Sequence, residues 1–295
     1  MTMTLGRVAI ALVALAPSIA PAHAAQPGAM VIRKASFGHV EVAATAVETA
    51  LREGRAAQAA ARDVLLLPHV RFGITARSHG KARWVSIASN GSPIYSWAFE
   101  NTAPGGRPVP PSHALRHEIG HDLFIRHLVP SSREGQYGGD APDWLDEMAA
   151  IAFEGTDVTA MRRREAARLA RSGSLIPMDR FLTMVHPELT ESPASAVASD
   201  GPAYRIRLAA SSDTPRFYAM TRAFYDYLVA RTGSPAVVAK LADAFRRGER
   251  LDAWVLARSG QRNGSASLGA LDADLRSWIQ SDARYAVATG SPNGG

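Results

Sequence analysis

The chain has 295 residues and no cysteine, which excludes disulfide bonds and thiolate chemistry. Its 33 basic and 27 acidic side chains give a formal net charge of +6, and the basic residues are scattered, so no nucleic-acid partner is expected. An apolar fraction of 46% is enough for one compact domain with two lobes, which we place at 25–155 and 156–295.

Residues 1–24 have the composition of a secretory signal peptide. Arg7 is their only charge, an apolar run covers 8–15, and Ala22-His23-Ala24 has the form of a cleavage site. We therefore expect an exported protein, periplasmic or secreted after cleavage. No later segment is apolar over the length that a bilayer requires, so no membrane span is expected in the mature chain.

The region that follows predicts one helix and then a small mixed or antiparallel sheet. Residues 42–62 are alanine-rich and helical in pattern. β-branched or aromatic runs, separated by turn signals, predict strands at 64–67, 70–75, 84–88 and 94–99. A segment rich in Gly and Pro then connects the sheet to the next helix.

That helix is predicted at 114–129, where apolar and polar residues alternate at helical spacing up to a proline. It contains an HExxH motif at 117–121. At about 100° per residue, His117 and His121 lie about 40° apart on one face and one turn apart, so both can reach a single ion. Two imidazoles beside a carboxylate are typical of a hydrolytic zinc centre, with Glu118 as the general base.

Such a centre needs a third protein ligand, and the sequence offers two candidates. His127 stands six positions after His121, as in the metzincin motif HExxHxxGxxH, but Phe124 replaces the glycine at which that helix breaks. A helix continuing through Phe124 leaves His127 about 120° round the axis and roughly 9 Å beyond His121. The other candidate is Glu147, near the start of a predicted second helix with proline in its first turn.

The segment around Glu147 reads PDWLDEMAA and resembles the P-x-W-L-x-E-G-x-A segment of the gluzincin metallopeptidases, whose glutamate is the third zinc ligand. Here it follows His121 by 147 − 121 = 26 positions, and the family separation is a few tens of residues. Met148 departs from the small residue usual in the family but leaves the ligand intact. The resemblance implies one zinc ion held by His117, His121 and Glu147.

Two further segments carry the resemblance. Residues 217–228 are similar to the tyrosine-bearing helix of gluzincin aminopeptidases, which implies that Tyr218 donates a hydrogen bond to the oxyanion. The same apolar spacing would also form a core stripe whatever the function. Residues 97–101 resemble a degenerate form of the G-x-M-E-N strand with which these aminopeptidases hold a substrate's free amino group, which implies that Glu100 anchors that amine. The alternative is that 94–99 is simply an edge strand flanking the cleft.

Beyond Gly155, strand signals fade and helices are predicted at 158–171, 216–231, 235–247 and 271–279. The basic cluster 162–164 is interpreted as a solvated helix face. Glu154 is seven positions after Glu147 and about 20° off its helix face, so it could accept a hydrogen bond from a ligand imidazole, but we interpret it as a helix-end carboxylate. His186, which has no motif context, is interpreted as structural. The resulting class is α+β and zincin-like, with a small sheet, two zinc-binding helices and a mainly helical C-terminal lobe.

These observations predict an exported zinc peptidase that acts on peptides or proteins, with Glu118 and Tyr218 as catalytic residues. The first alternative is an aminopeptidase that uses Glu100. The second is a non-catalytic protein of the cell envelope that retains the zinc fold for binding or scaffolding.

Overall fold

In a computed structural model, the structure describes residues 29–76, 85–97, 99, 112–132, 139–187, 213–259 and 267–286. The predicted signal peptide and Glu100 lie outside these residues. Within them the protein is α+β, as predicted, with a mixed five-stranded sheet. The strands are β1 (Met30–Ala35), β2 (Gly38–Ala43), β3 (Phe72–Ala76), β4 (Val85–Ile87) and β5 (Pro93–Trp97).

The sheet has the order β1-β2-β3-β5-β4. The outer pairs, β1 with β2 and β4 with β5, are antiparallel, and the central pairs are parallel. Gly38 opens β2 at a φ of +139°, and a Cβ there would lie 2.2 Å from the carbonyl oxygen of Phe72. Only glycine therefore lets β2 approach β3 so closely at this point.

Three sequence predictions for this region were wrong in detail. The apolar run 64–67 is not a strand, because Val64 ends a helix and the next residues turn, with Leu66 at a φ of +57°. The predicted helix at 42–62 begins only at Val47, since Val42 and Ala43 belong to β2. β5 is not an edge strand, because it lies between β3 and β4.

Helices make up most of the remaining described residues. They are α1 (Val47–Val64), α2 (Ser112–His127), α3 (Asp143–Phe153), α4 (Thr156–Arg171), α5 (Met178–Phe181), α6 (Thr214–Thr232), α7 (Val237–Arg246), α8 (Leu251–Arg258), α9 (Leu268–Ser281) and α10 (Ala283–Ala286). A short 3₁₀ helix, Ala44–Ala46, precedes α1. None of the helices described here has both the length and the apolar composition to cross a bilayer.

Helix α3 is the centre of the helical part. It packs against α1, α2, α6 and α7, and every residue from Trp144 to Ile151 is buried. The Trp144 ring contacts Phe224 and Phe181 at centroid distances of 5.9 and 6.2 Å. Burying such side chains contributes roughly 1.5–3 kcal/mol each. This packing places two charged residues of α3, Asp146 and Glu147, in the protein interior.

A buried ion-pair network joins α4, α6 and α10. Asp226 accepts hydrogen bonds from Arg163 at 2.7 Å, from the Tyr285 hydroxyl at 2.9 Å and from Arg222. Burial alone would raise the pKa of Asp226, but Arg222 and Arg163 outweigh it and lower the pKa to about 2. The sequence interpretation of Arg163 as part of a solvated face was therefore wrong.

We expect Asp226 to make folding sensitive to acid. Its pKa is about 2 in the folded protein and 3.8 in the reference state, so its stabilisation is present above pH 3.8 and is lost as the pH falls towards 2. The difference corresponds to about 2 kcal/mol. Urea unfolding at pH 5 and pH 2 should show a larger loss of stability for wild type than for Asp226→Asn, by about that amount. Equal losses in the two proteins would contradict the prediction.

Candidate metal centre

Helix α2 brings the two histidines of the HExxH motif together. His117 and His121 are both buried, and their Nε2 atoms lie 3.1 Å apart. Phe124 lies fully buried inside the same helix, which continues to His127. His127 is therefore left exposed at the end of α2 and does not join the group.

Helix α3 supplies the carboxylate of Glu147, which is fully buried. Its Oε1 lies 3.4 Å from His117 Nε2, and its Oε2 lies 3.5 Å from His121 Nε2. The three side chains place one ligand atom each within 4.8 Å of one another, and the group can hold a metal ion.

The other nitrogen of each imidazole faces a carboxylate. His117 Nδ1 lies 3.0 Å from Glu154 Oε1, and His121 Nδ1 lies 2.8 Å from Asp146 Oδ2. Donation from Nδ1–H to these oxygens fixes the tautomer and turns the Nε2 lone pair of each ring towards Glu147. Glu154 is thus not merely a helix-end carboxylate, and Asp146 was missed.

The electrostatics of the group fit a cation. Two imidazole Nε2 atoms and a carboxylate face one another, and neither oxygen of Glu147 has a hydrogen-bond partner of ordinary geometry among the described residues. Burial alone would raise the pKa of Glu147, but His117, His121 and His186 hold it well below its usual value, so the carboxylate is charged. A buried charge in this setting requires a compensating positive charge, which a proton or a metal ion can supply.

Glu118 follows His117 on α2. Its side chain is buried, and burial raises the pKa of its carboxyl group above the usual value. The imidazoles of His117 and His121 oppose this shift, and the carboxylates of Glu147 and Asp146 add to it. The charges of the neighbouring histidines and carboxylates therefore influence the pKa of Glu118.

Tyr218 on α6 lies next to the same group. Its ring centroid is 6.2 Å from that of His117 and 5.6 Å from that of His186. The neighbouring Phe217 and Phe224 are fully buried in the core, whereas Tyr218 is only partly buried. The core stripe predicted for this helix is present, and Tyr218 is on the side that faces the histidines.

Arg162 on α4 connects Glu154 to Tyr218. Its guanidinium donates from Nε and Nη2 to both oxygens of Glu154, including Nε to Oε2 at 2.7 Å, and its Cζ lies 4.2 Å from the centroid of the Tyr218 ring. The bidentate pair fixes the carboxylate that orients His117, and the cation contacts the aromatic face. The interpretation of Arg162 as part of a solvated face was wrong, because α4 packs against α6.

His186 is a further side chain of the site that the sequence interpretation missed. It follows α5, is fully buried, and places Nε2 3.5 Å from Glu147 Oε2. No motif contains it, since it reaches Glu147 only through the packing of separate elements. The structure identifies it by two contacts with α3: its ring approaches Glu147, and its backbone N–H donates to Asp143, four positions earlier.

Gly120 sets the distance between the two helices that carry the ligands. A Cβ at this position would lie 2.9 Å from Ala150 Cα and 3.2 Å from the carbonyl oxygen of Ala149. We therefore expect Gly120→Ala to push α2 and α3 apart, to cost about 1–3 kcal/mol of stability and to weaken metal binding. Thermal unfolding and zinc titration measure the two effects.

Gly269 in α9 offers the matched control for Gly120. An added Cβ there meets nothing within 4 Å. Gly269→Ala should leave both stability and zinc affinity unimpaired. Normal zinc affinity in Gly120→Ala would show that the close helix contact is not needed for the metal-binding geometry.

Comparison of the chain with protein-family models, with curated proteins and with solved structures gives no match.

Proposed function

We propose that the chain is an exported zinc-dependent peptidase of the gluzincin type that hydrolyses bonds in peptide or protein substrates. The observation that carries the proposal is the fully buried carboxylate of Glu147, held on α3 against the two imidazoles of an HExxH motif on α2. A buried charge of this kind is costly unless a cation compensates it. The resemblance of the motif and of the Glu147 segment to gluzincin sequences supports the same function.

The donor set favours zinc among the divalent cations. Two imidazole nitrogens and one carboxylate oxygen form the set that catalytic zinc takes, with a fourth position left for water or substrate. Calcium and magnesium prefer sites made of oxygen atoms alone. The carboxylates on His117 and His121 add the outer hydrogen bonds that metal-bound histidines usually make.

Zinc would supply Lewis acidity, which polarises a substrate carbonyl and lowers the pKa of water. Glu118 accepts a proton from the attacking water and returns it to the leaving amine. The Tyr218 hydroxyl donates a hydrogen bond to the oxygen that gains negative charge. Arg162, stacked on the Tyr218 ring and bonded to Glu154, keeps the phenol and the His117 ring in a fixed relation.

Metal analysis together with peptide hydrolysis tests this function on the purified full-length protein. We expect about one zinc ion per chain, cleavage of internally quenched peptides, loss of both on chelation, and recovery when zinc is restored. Protein that binds no zinc after incubation with the ion would overturn the proposal. Zinc binding without cleavage of a diverse peptide library would favour the non-catalytic alternative.

Comparison of peptides with free and blocked amino termini distinguishes endopeptidase from aminopeptidase activity. We expect N-acetylated and free peptides to be cleaved at similar rates, because an endopeptidase does not need the free amine. Strong preference for the free amine, lost in Glu100→Gln, would favour the aminopeptidase alternative.

A further inference from the structure

His186 is held by contacts with two helices, α3, which carries Glu147, and α6. Its backbone N–H donates to Asp143 Oδ2 at 2.6 Å, and Asp143 is the first residue of α3. Its ring is fully buried and packs edge-on against Phe217, at a centroid distance of 5.1 Å and an interplanar angle of 82°. The position of the imidazole relative to α3 is therefore fixed by both backbone and side-chain contacts.

The Nε2 atom of His186 lies 3.5 Å from Glu147 Oε2. It differs in role from the Nε2 atoms of His117 and His121, which belong to the metal-binding group. With a metal bound, the Nε2 lone pairs of those two rings would bind it, so these atoms would carry no N–H that could donate to the Glu147 carboxylate. His186 is not part of that group and keeps an N–H for donation.

A carboxylate that binds a metal through one oxygen leaves its second oxygen in need of a donor. In a fully buried site water cannot meet that need, and an unsatisfied charged oxygen is costly. Oε1 of Glu147 lies 3.4 Å from His117 Nε2, and Oε2 lies 3.5 Å from the Nε2 atoms of both His121 and His186. Only Oε2 is therefore approached by an imidazole outside the metal-binding group. The two oxygens therefore have different surroundings.

We infer that His186 is a positioning residue for the third metal ligand: its Nε2–H donates a hydrogen bond to Glu147 Oε2 and leaves Oε1 to bind the metal. The inference rests on the metal-binding part of the proposed function and is independent of peptide hydrolysis. His186 acts through Glu147 and does not itself bind the metal.

Two substitutions separate hydrogen bonding from packing at this position. His186→Gln retains an N–H donor at a reach similar to that of Nε2, whereas His186→Leu retains buried apolar volume and removes the donor. His69, an exposed histidine beyond α1, provides His69→Leu as a control for the loss of a histidine elsewhere.

Zinc affinity of the full-length proteins is measured by competition with a chromogenic chelator. We expect His186→Leu to weaken zinc binding by about 10–100-fold, as is typical when a hydrogen-bond partner of a ligand is lost. His186→Gln should recover most of that loss, and His69→Leu should bind as wild type does. Thermal unfolding of the metal-free proteins shows whether either buried variant has lost packing.

Cobalt substitution gives a second readout. Without the donor on Oε2, both Glu147 oxygens are available to the metal, so the visible absorption of the cobalt form should change in His186→Leu and not in His186→Gln. Equal zinc affinity in wild type and His186→Leu would overturn the role of His186 but not the metal-binding proposal. Equal weakening in the Gln and Leu variants would have the same consequence. Absence of zinc binding in wild type would overturn the metal-binding proposal as well.

Discussion

Glu118→Gln should retain zinc and lose peptidase activity by a factor of about 10²–10⁴. The glutamine has nearly the same shape as the glutamate and leaves the three metal-binding side chains unchanged, but it cannot accept a proton. Zinc titration and the initial rate of peptide cleavage, measured on the same preparation, give the two quantities. We expect the zinc affinity to stay close to that of wild type.

The matched control is Glu48→Gln, which makes the same chemical change at an exposed position in the first turn of α1. It should retain both zinc and activity. Glu118→Gln protein with wild-type turnover would remove Glu118 from the mechanism. Loss of zinc together with activity would show that Glu118 acts on the metal site and not on the proton transfer.

The part of the site that the sequence predicts best is local in the chain. His117 and His121 are one helical turn apart, so helix geometry alone brings their Nε2 atoms to 3.1 Å. The same reasoning anticipates that a helix through Phe124 carries His127 away from them. Glu147 depends on the packing of α3 against α2, which periodicity does not give, and it was predicted from a family resemblance.

The contacts of the residues around the metal-binding group depend on longer-range packing, and the preferred sequence interpretation did not include them for that reason. Asp146 and Glu154 lie on or just after α3, and their partners are on α2, so the pairing follows from how the two helices meet. Arg162 belongs to α4 and His186 follows α5. Neither position has a sequence signal that distinguishes a buried polar partner from an ordinary surface residue.

Prediction of the sheet from sequence was limited in a similar way. The sequence of β1, MVIRKA, lacks the apolar alternation that predicts a half-buried strand. Two of its apolar side chains, Met30 and Ile32, are exposed in the structure. The run 64–67 has the apolar composition of a strand, yet tertiary packing uses it to end α1 and begin a turn. The α+β class and the small sheet were predicted correctly because they depend on the order of elements and not on their ends, whereas the choice between a mixed and an antiparallel sheet was left open.

Glu147→Gln should lose zinc affinity by at least about 100-fold, more than removal of an outer hydrogen-bond partner would cause. The amide has the same size as the carboxylate but carries no charge, and two neutral imidazoles alone do not form a three-ligand zinc site. Chelator competition measures the affinity. His127→Ala is the control, because His127 is exposed and lies apart from the group, and it should bind zinc as wild type does.

The metal-free form of Glu147→Gln separates a lost ligand from a lost fold. In wild type, the Glu147 carboxylate raises the pKa values of the nearby Glu118 and Asp143, and three histidines hold its own pKa well below the usual value. A pKa that is lower in the folded state means that the charged carboxylate stabilises the metal-free fold, so the neutral amide should lower the unfolding temperature of the metal-free protein. We expect the metal-free variant still to be folded at the temperature of the zinc titration, so that its weaker binding reports the lost ligand. A variant that is unfolded at that temperature would indicate that Glu147 serves the fold, and zinc loss in His127→Ala alone would place the third ligand on α2.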